Sequence, residues 1–225
     1  MNSFGRFYRA TAICSFLSVA STLLLIFLPR LYDSGESFES RLARVGNPIY
    51  MLRAWVYLLH PFVVLAAALG VAMAMRRLSG GAAAAGFLCF LLWALTEAGQ
   101  QALTLVAYHG WAGAYATADV ATQEVLRMQI SIYHAIWDSM FLLLLIGFLL
   151  GNLLYGVAMV NSRGSAWILG VLFLAVAVLT AFGVSREIGG PGLPPALAVW
   201  LYPIVQPVSR LLVGLWLWNM AEDLS

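Results

Sequence analysis

Six long apolar stretches alternate with short polar segments along the chain. They cover residues 8–29, 50–75, 83–108, 127–160, 165–185 and 195–220, and each is near the roughly 20 residues that a helix needs to cross a ~30 Å hydrocarbon core. A backbone exposed to lipid must satisfy its own hydrogen bonds, so each stretch is predicted to be helical. The pattern predicts an all-α polytopic membrane protein, with six transmembrane helices in one bundle and a single integral membrane domain over residues 1–225.

The composition agrees with a chain whose solvent is lipid. Hydrophobic residues make up 62% of it and charged residues only 10%, whereas a soluble globular domain carries about 25% charged residues. The formal net charge of +2 is too small for a nucleic-acid surface. Cys14 and Cys89 both lie within apolar runs, and they show neither the spacing of a zinc site nor a disulfide framework. The expected partner is therefore the lipid bilayer, and no nucleic acid is expected.

The first apolar stretch is interpreted as a retained helix rather than a signal peptide. Its amino-terminal end carries only Arg6 and Arg9 as charged residues, no cleavage signal follows, and the stretch is long enough to span. The positive-inside rule counts Lys and Arg in short loops, but here the two sides tie at five arginines each. One side carries Arg6, Arg9, Arg76, Arg77 and Arg163, and the other carries Arg30, Arg41, Arg44, Arg127 and Arg186.

Both termini are nevertheless expected in the cytoplasm. An even number of helices puts the two tight basic turns, 76–81 and 161–165, on the cytoplasmic side together. The resulting expectation is a multi-pass membrane protein with both termini on the cytoplasmic side.

Four of the six stretches carry ionisable and amide side chains on one helical face. A charge at the centre of a membrane helix costs about 2.5–3.5 kcal/mol on insertion scales and needs a partner. The spacings of three, four and seven residues put each set on one stripe. The sets are Arg53, Tyr57 and His60 in the second stretch, Glu97, Gln101 and Thr104 in the third, Arg127, His134 and Asp138 in the fourth, and Gln206 and Arg210 in the sixth.

These polar groups are predicted to lie at similar depth. At 1.5 Å per residue from the non-cytoplasmic helix ends, Arg53 lies within about one turn of the interface, and about 10–20 Å into the membrane fall His60, Glu97, Gln101, His134, Asp138 and Arg210. The prediction is an outward-facing polar pocket between helices two, three, four and six, in which Glu97 and Asp138 balance Arg53 and Arg210. Helices one and five are expected to contribute nothing comparable, only hydroxyls. The predicted ligand-binding residues are Arg53, His60, Glu97, Gln101, His134, Asp138, Gln206 and Arg210.

Several chemistries remain open for this pocket. His60, Glu97, His134 and Asp138 are residue types that bind zinc or iron, and His60 with His134 could hold a haem. The arginines Arg53 and Arg210 could instead clamp a lipid headgroup or another anion. General acid–base catalysis by a carboxylate with His134 is a further alternative. No catalytic residue is assigned, and the simplest expectation is that no cofactor is bound.

Three functions compete for such a protein. The first is a membrane protein that binds a small ligand, lipid headgroup, metal or haem in the pocket. The second is a structural or accessory subunit that packs onto partner membrane subunits, with the polar cluster serving as packing contacts between helices. The third is a small transporter, which the almost wholly apolar inner halves of the helices disfavour.

Two segments also resemble a known family. The stretches "YMLRAWVYLLHPFVVLAAALGVAMAMRR" and "YHAIWDSMFLLLLIGFLLGNLLYGVAMV", together with the six-helix layout and the polar first loop, resemble the bacterial domain-of-unknown-function family numbered 4386. In that family a histidine followed by an acidic or polar group often begins the fourth helix, as His134 and Asp138 do here. The resemblance implies a six-helix inner-membrane protein and implies no activity.

Overall fold

The computed structural model describes residues 3–32, 35 and 37–224, apart from the side chains of Trp200 and Tyr202, and this part of the chain is all-helical. Seven α-helices follow one another, with single turns of 3₁₀-helix at Leu28–Leu31 and Arg44–Gly46 and a turn of π-helix at Thr104–Tyr108. The α-helices are α1 (Ser3–Phe27), α2 (Phe38–Ala43), α3 (Pro48–Leu103), α4 (His109–Tyr115), α5 (Val120–Val160), α6 (Ser165–Glu187) and α7 (Pro195–Glu222). The all-α fold class predicted from the apolar pattern is confirmed.

The helix starts follow the local sequence. Asn47 caps α3 by accepting hydrogen bonds from the Ile49 and Tyr50 amides, and Pro48 follows at the first helical position, where its fixed φ and missing N–H suit a helix start. Asp119 caps α5 in the same way by accepting from the Thr122 amide at 2.8 Å. The sequence-based starts of the second and fourth stretches, at 50 and 127, are therefore two and seven residues late.

Helix α3 folds back on itself. Ser79 has non-helical torsions (φ −156°, ψ 72°) and separates a first arm, 48–78, from a second arm, 80–103. The rings of His60 and Trp93 lie 6.2 Å apart, whereas a straight helix would separate these residues by about 50 Å. The arms therefore form a hairpin in which Ser79 is the residue with non-helical torsions. The two arms correspond to the second and third apolar stretches.

The helices form a bundle in which neighbours along a closed path pack together. The order along this path is α7, α1, α3, α5 and α6, and α6 returns to α7 through a much smaller contact. Helices α5 and α6 come close at the backbone level, where a methyl group on Gly170 would lie 2.6 Å from the Val160 nitrogen. Small residues allow such backbone contact between membrane helices.

A short amphipathic segment lies over one end of the bundle. Val45 is buried together with Tyr108, Ala112 and Tyr133, and the Tyr108 hydroxyl donates to the Arg41 carbonyl at 3.1 Å. Arg41 belongs to α2, and Val45 belongs to the 3₁₀ turn that follows it. This segment closes the end of the bundle above α4 and the start of α5.

Within the described residues, five helical segments are long and apolar enough to cross a membrane. They are Ser3–Leu31, Pro48–Tyr115, Val120–Val160, Ser165–Glu187 and Pro195–Glu222, and the second of them contains the α3 hairpin. Many large apolar side chains on their outer faces are exposed, as at Leu17, Leu59 and Val178. These features are consistent with an integral membrane protein, because lipid tails solvate such a surface.

Candidate functional site: a polar cavity inside the bundle

The interior of the bundle contains a cavity of about 740 Å³. All eight residues singled out from the sequence line it, namely Arg53, His60, Glu97, Gln101, His134, Asp138, Gln206 and Arg210. The wall also includes Thr22 and Leu25 of α1 and Leu179 and Phe182 of α6. The expectation that only four helices would enclose the polar groups is therefore wrong, because α1 and α6 complete the wall.

Arg210 of α7 is held by α1 and by the first arm of α3. Its Nη1 atom donates to the Thr22 hydroxyl at 2.7 Å and to His60 Nε2 at 2.6 Å, with a longer contact to the Ser18 carbonyl at 3.5 Å. In addition, the Ser15 hydroxyl donates to the Arg210 carbonyl at 2.7 Å. One guanidinium nitrogen thus ties three helices together.

The hydrogen bonds around His60 fix its tautomer. A guanidinium has N–H donors and no acceptor, so His60 Nε2 must accept from Arg210 through its lone pair. The proton of the neutral ring then resides on Nδ1, which lies 2.8 Å from the Ser21 hydroxyl oxygen. Ser21 can accept this bond because its own proton is directed to the Leu17 carbonyl at 3.0 Å.

The partners of Arg210 on α1 belong to a stripe of hydroxyls that sequence reasoning undervalued. Thr11, Ser15, Ser18 and Thr22 are all buried, with exposures of 1–5%, and their spacing of four, three and four residues places them on one helical face. This periodicity was visible in the sequence. A stripe of single hydroxyls does not by itself indicate a charged partner, although a guanidinium is satisfied by neutral oxygens as well as by carboxylates.

The predicted balancing of arginines by carboxylates does not take the form of contact ion pairs. Among the described residues the ion pairs within 4 Å are Arg127–Glu39 and Arg186–Glu187, so neither Glu97 nor Asp138 touches Arg53 or Arg210. Glu97 is buried, with 6% of its surface exposed. Open space, rather than a salt bridge, separates the acidic and basic groups.

His134 and Asp138 lie on the wall that α5 contributes. His134 is half-buried beside the rings of Tyr108 and Tyr133, with ring centroids 5.8 and 5.2 Å away. Asp138, one turn further along, is exposed and borders the cavity. His134 and Asp138 therefore share one face of α5, as their four-residue spacing predicts, and both border the cavity.

Arg53 occupies the end of the cavity nearest the first loop. Its Nη1 atom donates to the Tyr32 hydroxyl at 3.1 Å, and its guanidinium carbon lies 5.0 Å from the centre of the Tyr57 ring. The Nε atom is buried and has no hydrogen-bond partner among the described residues. A buried N–H of this kind is costly unless another group satisfies it.

Two further polar residues stabilise the second arm of α3 against α5. Gln100 is almost fully buried and donates from Nε2 to the Trp137 carbonyl at 2.8 Å. Thr104, at the start of the π-helical turn, shares a 2.7 Å hydrogen bond with the Tyr133 hydroxyl. Turns of π-helix are frequent at functional sites because they shift side chains out of the α-helical register.

The geometry gives no support to a metal centre at the four candidate ligands. Among the described residues no three His, Cys, Asp or Glu side chains converge as a metal ion requires. His60 also uses both ring nitrogens, one toward Arg210 and one toward Ser21. Iron ligation by His60, including a bis-histidine haem with His134, would require the hydrogen bond from Arg210 to be broken.

Comparisons with known proteins give no relative from which a role could be transferred. No family model matches the chain, no curated protein matches its sequence, and no solved structure matches its fold. The resemblance to the domain-of-unknown-function family numbered 4386 stays a prediction. The functional argument therefore rests on the cavity and its chemistry.

Proposed function

We propose that the chain is a six-span membrane protein that binds a small ligand in the polar cavity of its bundle. The main support for the proposal is a cavity of about 740 Å³ whose lining includes all eight predicted residues. Ligand pockets typically measure about 300–1,000 Å³ and combine an apolar lining with a few polar groups. Polar contacts that only stabilise helix packing would bring these side chains together and would leave no such space.

In this proposal, each arm of the α3 hairpin crosses the membrane once. At 1.5 Å per residue the first arm is about 46 Å long and the second about 36 Å, so both exceed a ~30 Å hydrocarbon core. With α1, α5, α6 and α7 this makes six spans. Both termini and the tight turns near 79 and 163 then lie in the cytoplasm of a bacterium, and the cavity lies in the outer half of the inner membrane.

The orientation is testable by labelling in intact cells. A membrane-impermeant maleimide should modify Thr117→Cys, in the loop between α4 and α5, and should leave Arg163→Cys unmodified until the cells are opened. The native Cys14 and Cys89 are replaced by alanine in both variants. If only Arg163→Cys is labelled in intact cells, the protein has the opposite orientation. If both variants are labelled in intact cells, the six-span topology is contradicted.

Ligand binding is testable with a variant that fills the cavity. Gly183 borders the cavity, and a Cβ there would meet only Leu145 at 3.8 Å, so Gly183→Leu places a side chain in the open space. Gly113→Leu is the matched control, since a Cβ at Gly113 has nothing within 4 Å and this exposed residue does not border the cavity. Mass spectrometry should find a small molecule released from the purified wild type and from Gly113→Leu, and much less from Gly183→Leu.

The alternative of an accessory subunit predicts a different result. All three proteins would then be folded and would release no common small molecule, and the wild type would copurify with a membrane partner. That outcome would contradict the proposal and would show that the polar side chains only stabilise the packing of the helices.

A further inference from the structure

The charges around the cavity favour an anion. Four arginines border it, Arg44, Arg53, Arg186 and Arg210, against two carboxylates, Glu97 and Asp138. Arg186 is partly neutralised by Glu187, which lies 2.9 Å away. Among the described residues, neither Arg53 nor Arg210 forms an ion pair within 4 Å with a carboxylate. In a setting of low dielectric, cations without a contact ion pair attract a negatively charged group more strongly than they would in water.

Arg210 presents the edge of its guanidinium that suits two acceptor oxygens. All of its described hydrogen bonds use Nη1, so Nε and Nη2 make none with the described residues. The N–H bonds of Nε and Nη2 run parallel, and this pair forms the bidentate contact that arginine makes with carboxylate or phosphate. His60 and Thr22 hold the opposite edge and fix the orientation of the guanidinium.

A long stretch of the cavity wall is apolar. Leu25 of α1, Leu145 of α5 and Leu179 and Phe182 of α6 border it together with Leu193, which precedes α7. No small inorganic anion could use this surface. A ligand with an acidic headgroup and a hydrocarbon chain would satisfy both the arginines and the apolar side.

The packing of the bundle favours entry from the membrane rather than from water. At the end of the bundle, α2 and its 3₁₀ turn cover α4 and α5, with the rings of Phe38 and Tyr115 5.3 Å apart and Val45 buried. On the side, α6 and α7 form the weakest join in the ring of helices. Residues 186–191, around the end of α6, are exposed. Among the described residues, the α6–α7 join is therefore the least tightly packed part of the wall, and it is the side from which a ligand dissolved in the membrane would enter.

Resting on the proposed function, we infer that the cavity binds a phospholipid with an anionic headgroup, its phosphate held by Arg210 and Arg53. The acyl chain lies along the α6 side of the cavity and leaves between α6 and α7. A water-soluble phosphate ester carries the same phosphate group as the phospholipid but has no acyl chain. A requirement for the acyl chain therefore distinguishes a lipid ligand from a water-soluble one.

The test uses the full-length protein in detergent, stripped of lipid and titrated by native mass spectrometry. The probes are dioleoylphosphatidylglycerol, dioleoylphosphatidylcholine and sn-glycerol 3-phosphate, which carries the phosphate without acyl chains. We expect one phosphatidylglycerol to bind at least tenfold more tightly than phosphatidylcholine and at least a hundredfold more tightly than glycerol 3-phosphate. Arg210→Gln and Arg53→Gln should each weaken phosphatidylglycerol binding about tenfold. Arg163→Gln, in the exposed turn before α6, should change it less than twofold.

Each contrary outcome has a distinct meaning. Equal binding of the two lipids, or equal losses in Arg163→Gln and Arg210→Gln, overturns the anionic-lipid inference. Glycerol 3-phosphate binding as tightly as phosphatidylglycerol overturns the chain requirement and leaves a water-borne anion as the ligand. If none of the probes binds while a molecule is still displaced by Gly183→Leu, the inference fails and the proposed function stands. If Arg210→Gln does not fold, Arg53→Gln and Gly183→Leu decide, since both must weaken phosphatidylglycerol binding.

Discussion

The Nη1 atom of Arg210 lies 2.6 Å from Nε2 of His60, although 150 residues separate the two along the chain. This contact joins α7 to the first arm of α3 and leaves the other edge of the guanidinium toward the cavity. It also determines which ring nitrogen of His60 carries the proton, because only an unprotonated Nε2 can accept from arginine.

The tautomer of His60 is therefore a direct prediction. Nitrogen-15 NMR of the labelled protein should show His60 as a neutral ring protonated on Nδ1, with Nε2 unprotonated. Arg210→Met removes the donor, so the Nδ1–H form should lose its dominance. The exposed His109 supplies a reference signal that this substitution should leave unchanged. A ring protonated on Nε2 in the wild type would contradict the hydrogen-bond assignment.

The loss of His60 should destabilise the protein. His60→Ala removes an acceptor for a charged donor and leaves part of the Arg210 guanidinium unsatisfied, which costs about 1–3 kcal/mol. Thermal unfolding in detergent should report this as a lower transition temperature. His109→Ala, at an exposed position of α4, should change the free energy of unfolding by no more than about 0.5 kcal/mol. Equal effects at the two histidines would argue against the Arg210–His60 contact.

The tight approach of α5 and α6 predicts a strong contrast between two glycines of α6. A Cβ on Gly170 would lie 2.6 Å from the Val160 nitrogen, whereas one on Gly183 meets only Leu145 at 3.8 Å. Gly170→Ala should destabilise the protein by about 1–3 kcal/mol, the range typical of overpacking. Gly183→Ala should be neutral or stabilising, since alanine is favoured over glycine within a helix by up to about 1 kcal/mol. Urea or thermal unfolding of both variants measures this difference. Similar stabilities of the two variants would contradict the close approach of α5 and α6.

The hairpin in α3 can be measured as a distance. Leu59 and Leu92 are exposed positions on its two arms, each next to a residue of the His60–Trp93 ring contact. Spin labels at these two positions should give a distance far below the ~50 Å that 33 residues of continuous helix would span. A pair at Leu59 and Leu69, on one arm, provides the control, with about 15 Å between backbone positions. A distance near 50 Å for the first pair would show a straight helix.

The cap of α5 predicts a dependence on pH. The Thr122 amide donates to the Asp119 carboxylate and holds the pKa of Asp119 below its ordinary value. Because the folded-state pKa is depressed, the stabilisation is present above the unfolded value of about 3.9 and is lost as the pH falls through the folded-state pKa. Asp119→Ala should therefore unfold at a lower temperature than the wild type at pH 7, and this difference should shrink in acid.

Asp119→Asn separates the charge from the cap. Asparagine keeps an acceptor oxygen for the Thr122 amide and does not titrate, so its contribution should not change with pH. A wild type whose stability relative to Asp119→Asn is the same at pH 7 and in acid would contradict the role of the ionised carboxylate.

The fold class and the neighbourhood of the polar residues were predictable for a simple reason. Continuous apolar stretches of about 20 residues specify helices in lipid, and a four-residue spacing such as that of His134 and Asp138 specifies a shared face. What the sequence could not supply was which groups touch across helices. Arg210 pairs with Thr22 and His60 instead of Glu97 because α1 packs against α7, and that packing depends on the whole bundle. The ligand-binding role of the eight residues remains a prediction.

The turn at Ser79 has a consequence far from its own position. Arg53 and His60 stand on one side of it and Glu97 and Gln101 on the other, and His60 is about 28 Å away along the helix axis. Loss of a single residue beside Ser79 would shift one arm by about 1.5 Å and rotate it by roughly 100° relative to the other. A deletion at the far end of the hairpin would thus swing either the basic or the acidic side of the cavity out toward the acyl chains, without altering any residue that borders it.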